Sequence, residues 1–163
     1  MVEGLEARLK GATRIAVLGV GSELRSDDVA GILAVDELLK ACPESSDFLA
    51  VKGYSAPENL TGPIVAFAPS HLVIVDCAEL GSTPGTIRLF PLEEIGGVSS
   101  STHSLPLSVI LGYMLGSRPC EVIVLGIQPK SLEFDGKPSK EALAAASAVA
   151  RELARAVEAM GER

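Results

Sequence analysis

Apolar residues along this chain follow two rhythms. Three segments are continuous: Ile15–Val20 (IAVLGV), His71–Cys77 (HLVIVDC) and Glu121–Ile127 (EVIVLGI). Short unbroken apolar runs of this kind are the mark of strands buried on both faces. Between them the spacing becomes helical. Gly19 and Gly21 break the first run, and Ser26, Asp27 and Asp28 suit a helix start by capping and by their charge at the positive end of the dipole. The helix is expected to run to about Lys40, with Ile32, Val35, Leu38 and Leu39 facing inward, and to end before Pro43. A long Ala-rich helix is expected from Ser139 to about Met160, with Leu143, Ala150, Leu153 and Val157 on one stripe.

The remaining elements are weaker. Phe48 to Val51 reads as a short strand, and Pro57 to about Phe67 as a short helix interrupted by Gly62 and Pro63. A turn at Pro84 and Gly85 leads into a strand over Thr86 to Phe90, expected at an edge or antiparallel. Residues 96–101 (GGVSSS) read as a loop, and Leu105 to Leu115 as a helix. Leu5, Leu9 and Ala12 share one face of a short leading helix, so residues 1–13 are expected as an N-terminal appendage to a single domain spanning 1–163. Strands alternating with helices at this spacing predict an α/β fold: a three-layer αβα sandwich around a mostly parallel sheet of about five strands. Ligands bind such sheets beyond the carboxyl ends of the strands, so the residues that follow each apolar run carry the chemical interest.

Composition narrows the function. The chain has 163 residues, 47% hydrophobic and 21% charged, enough for one well-buried core. Lys and Arg total 14 against 21 Asp and Glu, a net charge of -7. That balance argues against nucleic acid or an anionic membrane as partner, because both need a basic face. No run of apolar residues is long enough to span a bilayer, and the charges within MVEGLEARLKGA do not suit a secretory signal. Cys42, Cys77 and Cys120 are widely separated, without a CxxC pair, so a disulfide scaffold is not expected and a reducing cytoplasm is.

Familiar motifs fail on inspection. GVGSEL at 19–24 lacks the third glycine of a dinucleotide fingerprint, and Lys52 stands where an acid would hold a ribose. GSTPG at 81–85 puts Thr83 where a nucleophile-elbow serine would be. His71 opens a strand and reads as structural. What remains is Asp28 just past the first strand, Asp76 at the end of the third, and His103 after the Gly/Ser stretch. Two carboxylates and an imidazole are oxygen and nitrogen ligands suited to a borderline metal such as nickel or zinc. Each also has a plain structural reading: dipole compensation for Asp28, a backbone cap for Asp76, a surface loop residue for His103.

The order of motifs adds a second line. GVGSELRSDDVAG (19–31), SAPEN (55–59), LVIVD (72–76), PGTIR (84–88), STH (101–103), Pro106 with Leu107, and LGIQP (125–129) together resemble the [NiFe]-hydrogenase maturation endopeptidases. SAPEN and LGIQP look most like the hydrogenase 3 branch. The resemblance implies a cytoplasmic peptidase that clips a C-terminal extension from the hydrogenase large-subunit precursor after nickel has entered it. It also implies that Asp28, Asp76 and His103 engage that nickel, which the substrate carries. Asp28 and Asp76 are then the catalytic candidates, either as a carboxylate pair of aspartic type or beside an ion that activates water. Asp27 is expected to cap its helix. Ser55 and Lys52 are the candidates for substrate contact, although Lys52 stands where many members have Asp. Ser22 likewise replaces the usual Asn. Two rivals stand beside it: a nickel carrier or insertion chaperone that uses the same three ligands and cuts nothing, and a nucleotide-binding regulatory module.

Overall fold

The computed structural model describes residues 2–91 and 119–162. The expected loop at 96–101, the expected helix at Leu105–Leu115 and His103 lie outside these residues. Elements follow in the order α1 (Leu5–Leu9), β1 (Ile15–Val20), a 3-10 turn (Ser26–Val29), α2 (Ala30–Ala41) and β2 (Phe48–Tyr54). After β2 come a second 3-10 turn (Pro57–Leu60), α3 (Thr61–Phe67), β3 (His71–Cys77), β4 (Ile87–Pro91) and β5 (Glu121–Ile127). The last helix is α4 (Lys140–Gly161). The three continuous apolar runs are strands over their full expected lengths.

The strands form one sheet in the order β2-β1-β3-β5-β4. β1 pairs parallel with β2 and β3, and β3 pairs parallel with β5. β4 closes the edge antiparallel to β5, as its position after a tight turn predicts. Alternation along the strands divides the core. Ile15, Val17, Val73, Val75, Ile123 and Leu125 face α1, α2 and α4, whereas Ala16, Leu18, Leu72, Ile74, Val122 and Val124 face Ile64 of α3. The αβα sandwich and its antiparallel edge are as the sequence predicts.

Five details differ from expectation. The helix after β1 opens as a 3-10 turn over Ser26–Val29 and becomes α-helical at Ala30 with no side-chain cap, the Asp27 carboxylate being bonded to Lys130 and Ser139 instead. Leu143 lies outside the inner stripe of α4 and is 46% exposed, while Ala142, Ala145, Ala146, Val149, Ala150 and Leu153 are buried. Small residues on this face let α4 lie close to α2, which a leucine at 143 facing inward would prevent. β2 runs on to Tyr54, whose carbonyl accepts the Gly21 N–H at 2.8 Å and so ties it to the loop after β1. The interrupted helix at 57–67 resolves into a 3-10 turn and α3, with Gly62 and Pro63 in the first turn of α3, where the missing N–H of proline costs nothing. Leu5, Leu9 and Ala12 share the core with α4, so the leading segment is packed into the fold.

Glycines set how tightly the first crossover lies on the sheet. A Cβ on Gly19 would strike the Gly31 carbonyl, one on Gly31 would strike the carbonyls of Val75 and Val20, and one on Gly21 would strike the Asp28 carbonyl. Gly21 also has φ of 147°, open to glycine and strained for other residues. Gly31→Ala is therefore expected to lower unfolding free energy by about 2 kcal/mol through overpacking. Gly62→Ala, where a Cβ meets nothing, is expected to be neutral or stabilising by about 0.5 kcal/mol or more. Urea titration of the two variants measures the contrast.

Candidate active site

The strand order reverses direction between β1 and β3: β1 leads outward to β2, and β3 leads toward β5 on the other side. The crevice beyond their carboxyl ends is where such sheets hold ligands. Asp28 and Asp76 are both there. Asp28 lies in the 3-10 turn that follows β1 and is 0% exposed; Asp76 is the penultimate residue of β3 and is 2% exposed. The close fit of Gly31 against Val75 brings the start of α2 onto the end of β3, and with it the turn three residues earlier.

Cys77 reports on how close these charges are. Its thiol, buried between the turn and the strand, donates to the Asp27 carbonyl at 2.8 Å. Burial pushes the thiol well above its ordinary range, and the neighbouring charges of Asp76, Asp28 and Asp27 push it further the same way. Asp76 in turn accepts the Cys77 N–H on Oδ1 at 2.8 Å. A thiol held neutral in this way is not a nucleophile. Cysteine chemistry at this crevice is thus disfavoured.

The turn that carries Asp28 is braced from outside the sheet. Asp27, 1% exposed, accepts the Lys130 N–H (2.7 Å) and the Ser139 hydroxyl (2.8 Å) on Oδ2, and the Ser139 N–H (2.6 Å) on Oδ1. Ser139 is the N-cap of α4 and also accepts the Ala142 N–H. Asp27 therefore holds the far helix, which corrects the expectation that it caps its own. Ser26 has φ of 50° and donates its hydroxyl to the Glu133 carbonyl at 2.7 Å. Gln128, within LGIQP, accepts the N–H groups of Leu80 and Ser82 and donates to Glu79, fixing the loop that leaves β3. Sequence reasoning assigned no role to Gln128 or to the 130–139 segment. The serine opening the Ala-rich helix was the available hint, since an N-cap hydroxyl needs a second partner for its proton.

Lys52 and Ser55 lie at the carboxyl end of β2. The Lys52 ammonium pairs with Asp36 of α2 at 2.8 Å, on the helix-facing side shared by Phe48 and Ala50, and this pairing raises its pKa. Ser55 is exposed in the turn that follows. Asp76, by strand alternation, is on the side of Leu72 and Ile74. Ser22 accepts the Leu24 N–H at 3.2 Å, a local turn bond. His103 lies outside the described residues. Among the described residues no three His, Cys, Asp or Glu side chains converge as a metal site. A serine, a histidine and an acid do meet at the opposite end of the sheet: Ser70 Oγ lies 3.0 Å from His71 Nδ1, and His71 Nε2 lies 3.5 Å from Glu121. That hydroxyl already donates to the Arg14 carbonyl and accepts the N–H groups of Thr13 and Arg14, so the row is a structural clip.

Comparison with known proteins gives the family. The family model for hydrogenase maturation proteases matches residues 32–159. The chain belongs to that family. It is 34% identical to a putative hydrogenase maturation protease of Methanocaldococcus jannaschii over 82% of this chain and 83% of that protein. It is likewise 34% identical to the hydrogenase 3 maturation protease of Escherichia coli, over 72% of this chain and 74% of that one. The crystal structure of the [NiFe] hydrogenase maturation protease HycI from Thermococcus kodakarensis superposes with a TM-score of 0.86 at 29% identity, covering 94% of this chain and 98% of that one. The chain is accordingly a peptidase of the hydrogenase maturation family, as its motifs imply.

The neutral thiol carries a prediction. Cys77 is expected to resist alkylation in the folded protein and to react on unfolding, read by mass spectrometry of iodoacetamide-treated samples. The unfolded chain ionises Cys77 near the ordinary thiol value of 9.0 and the folded chain does not. The contribution of Cys77 to stability is thus complete below pH 9.0 and falls as pH rises above it.

Proposed function

We propose that this protein removes a C-terminal extension from the nickel-loaded precursor of a [NiFe]-hydrogenase large subunit, in the cytoplasm. The observation that carries the reading is the pair of buried carboxylates, Asp28 and Asp76, at the switch-point crevice of a chain in this family. Two buried carboxylates at one crevice offer oxygen donors to a cation arriving with the substrate, which would make the crevice selective for a precursor that has already received its metal.

In this mechanism Asp28 and Asp76 offer oxygen ligands and His103 offers nitrogen, a mixed set that suits nickel. The ion belongs to the substrate and fixes the precursor's chain end over the crevice. Hydrolysis needs a water that loses its proton to one of the two carboxylates or through the ion's own acidity, with the peptide carbonyl polarised beside it. Substitution by Asn keeps an oxygen ligand and removes the base, so it separates these two sources of activation.

Intact-mass analysis of a cognate precursor, nickel-loaded or nickel-free, tests the proposal. Loss of a C-terminal peptide is expected from the nickel-loaded form alone. Asp28→Asn, Asp76→Asn and His103→Ala are each expected to slow cleavage by about 100-fold or more. Full processing by His103→Ala would remove that residue from the site. An unchanged precursor mass, with nickel passing to this protein, would replace the protease reading with that of a metal carrier.

A further inference from the structure

We propose that Asp27 is the positioning residue of the active site: it locks the 3-10 turn so that the neighbouring carboxylate of Asp28 stays beside the end of β3. The inference rests on the reading of Asp28 and Asp76 as the reactive pair. It assigns to Asp27 a task quite unlike that of the acid next to it.

The geometry points this way because every hydrogen-bonding group of Asp27 is engaged by another element. Both carboxylate oxygens are taken by donors from the chain after β5 and from the N-cap of α4, at 2.6 to 2.8 Å. Its N–H donates to the Ser131 carbonyl at 3.1 Å, and its carbonyl accepts the Cys77 thiol. One residue thus joins the turn to β3, to the segment following β5 and to α4. The turn itself offers little to hold its shape: it is four residues long, has no side-chain cap, and enters through Ser26 in a left-handed conformation. Such a turn keeps its course only if outside contacts over-determine it. Ser26 supplies one to Glu133, the Leu24 carbonyl accepts the Asp135 N–H, and Asp27 supplies five more.

Asp27→Asn is nearly isosteric, yet it turns one acceptor into a donor facing donors. Lys130 N–H and the Ser139 hydroxyl share Oδ2, and Ser139 N–H takes Oδ1, so neither amide orientation satisfies all three. The turn is then expected to shift while the sheet stays intact. Misplacing a reacting group by about 1 Å costs about 100-fold in rate. Asp27→Asn is therefore expected to lower kcat for precursor cleavage by about 100-fold with KM within about threefold.

A merely structural role is separated by Leu153→Ala in α4. This variant opens a cavity far from the crevice and is expected to lower the melting temperature comparably, with kcat kept within about twofold when assayed well below it. Equal loss of kcat in both variants, or kcat within twofold of wild type for Asp27→Asn, would overturn the proposal. A second measurement needs no substrate. Amide hydrogen exchange in Asp27→Asn is expected to quicken at residues 26–31 by about 100-fold while β1 and β3 keep their protection. Unchanged exchange at 26–31 would sink the assignment by itself. Failure of the wild-type protein to cut any precursor would instead count against the substrate reading and leave the exchange result to decide the role of Asp27.

Discussion

The carboxyl edge of this sheet is organised by contact between main chains. The turn after β1 and the start of α2 lie so near β1 and β3 that Gly19, Gly21 and Gly31 have no space for a Cβ, each meeting a backbone carbonyl of the neighbouring element. Side-chain packing between a helix and a sheet ordinarily holds the two apart. Here the absence of side chains at three positions closes that gap, and the closure delivers Asp28 to the end of β3. Fold and site are one construction at this point: the same contact that completes the core seats a carboxylate in the crevice.

Closeness has an electrostatic cost. Asp27, Asp28 and Asp76 are all buried within reach of the Cys77 thiol, whose proton is held the more firmly for it. Such grouping of like charge is tolerated only where each carboxylate has compensation. For Asp27 the compensation is structural and local, three donors from Lys130 and Ser139. Asp76 receives the Cys77 N–H at the end of β3. Asp27 thereby serves as a brace, a role set by the donors that the tertiary structure brings to it.

The opposite end of the sheet shows the contrast. There Ser70 clips the chain entering β1, and Arg8 of α1 reaches Glu121 of β5 at 2.7 Å, so polar groups are spent on joining elements. Residues of hydrolytic type, Ser70, His71 and Glu121, meet at that end, but the Ser70 hydroxyl is committed to the Arg14 carbonyl. Chemistry follows the carboxyl ends of parallel strands because the crossovers diverge there and leave room for a ligand.

Much of this protein was legible in its sequence. The runs Ile15–Val20, His71–Cys77 and Glu121–Ile127 specify buried strands because a segment apolar on both faces is stable only between two layers, and helical spacing between them specifies the crossovers. Asp28 and Asp76 stood out because strand ends are where such a sheet exposes its chemistry, and the motif order named the family. The tertiary structure alone decided what Asp27 does, that Leu143 faces outward, that Gln128 fixes the loop after β3, and that Lys52 is engaged by Asp36. The physical reason is range. Strand and helix patterns arise from neighbours a few residues apart, whereas the partners of Asp27 lie 103 and 112 residues away. No local pattern marks a hydrogen bond between residues that distant in the chain; only folding brings its donor and acceptor together.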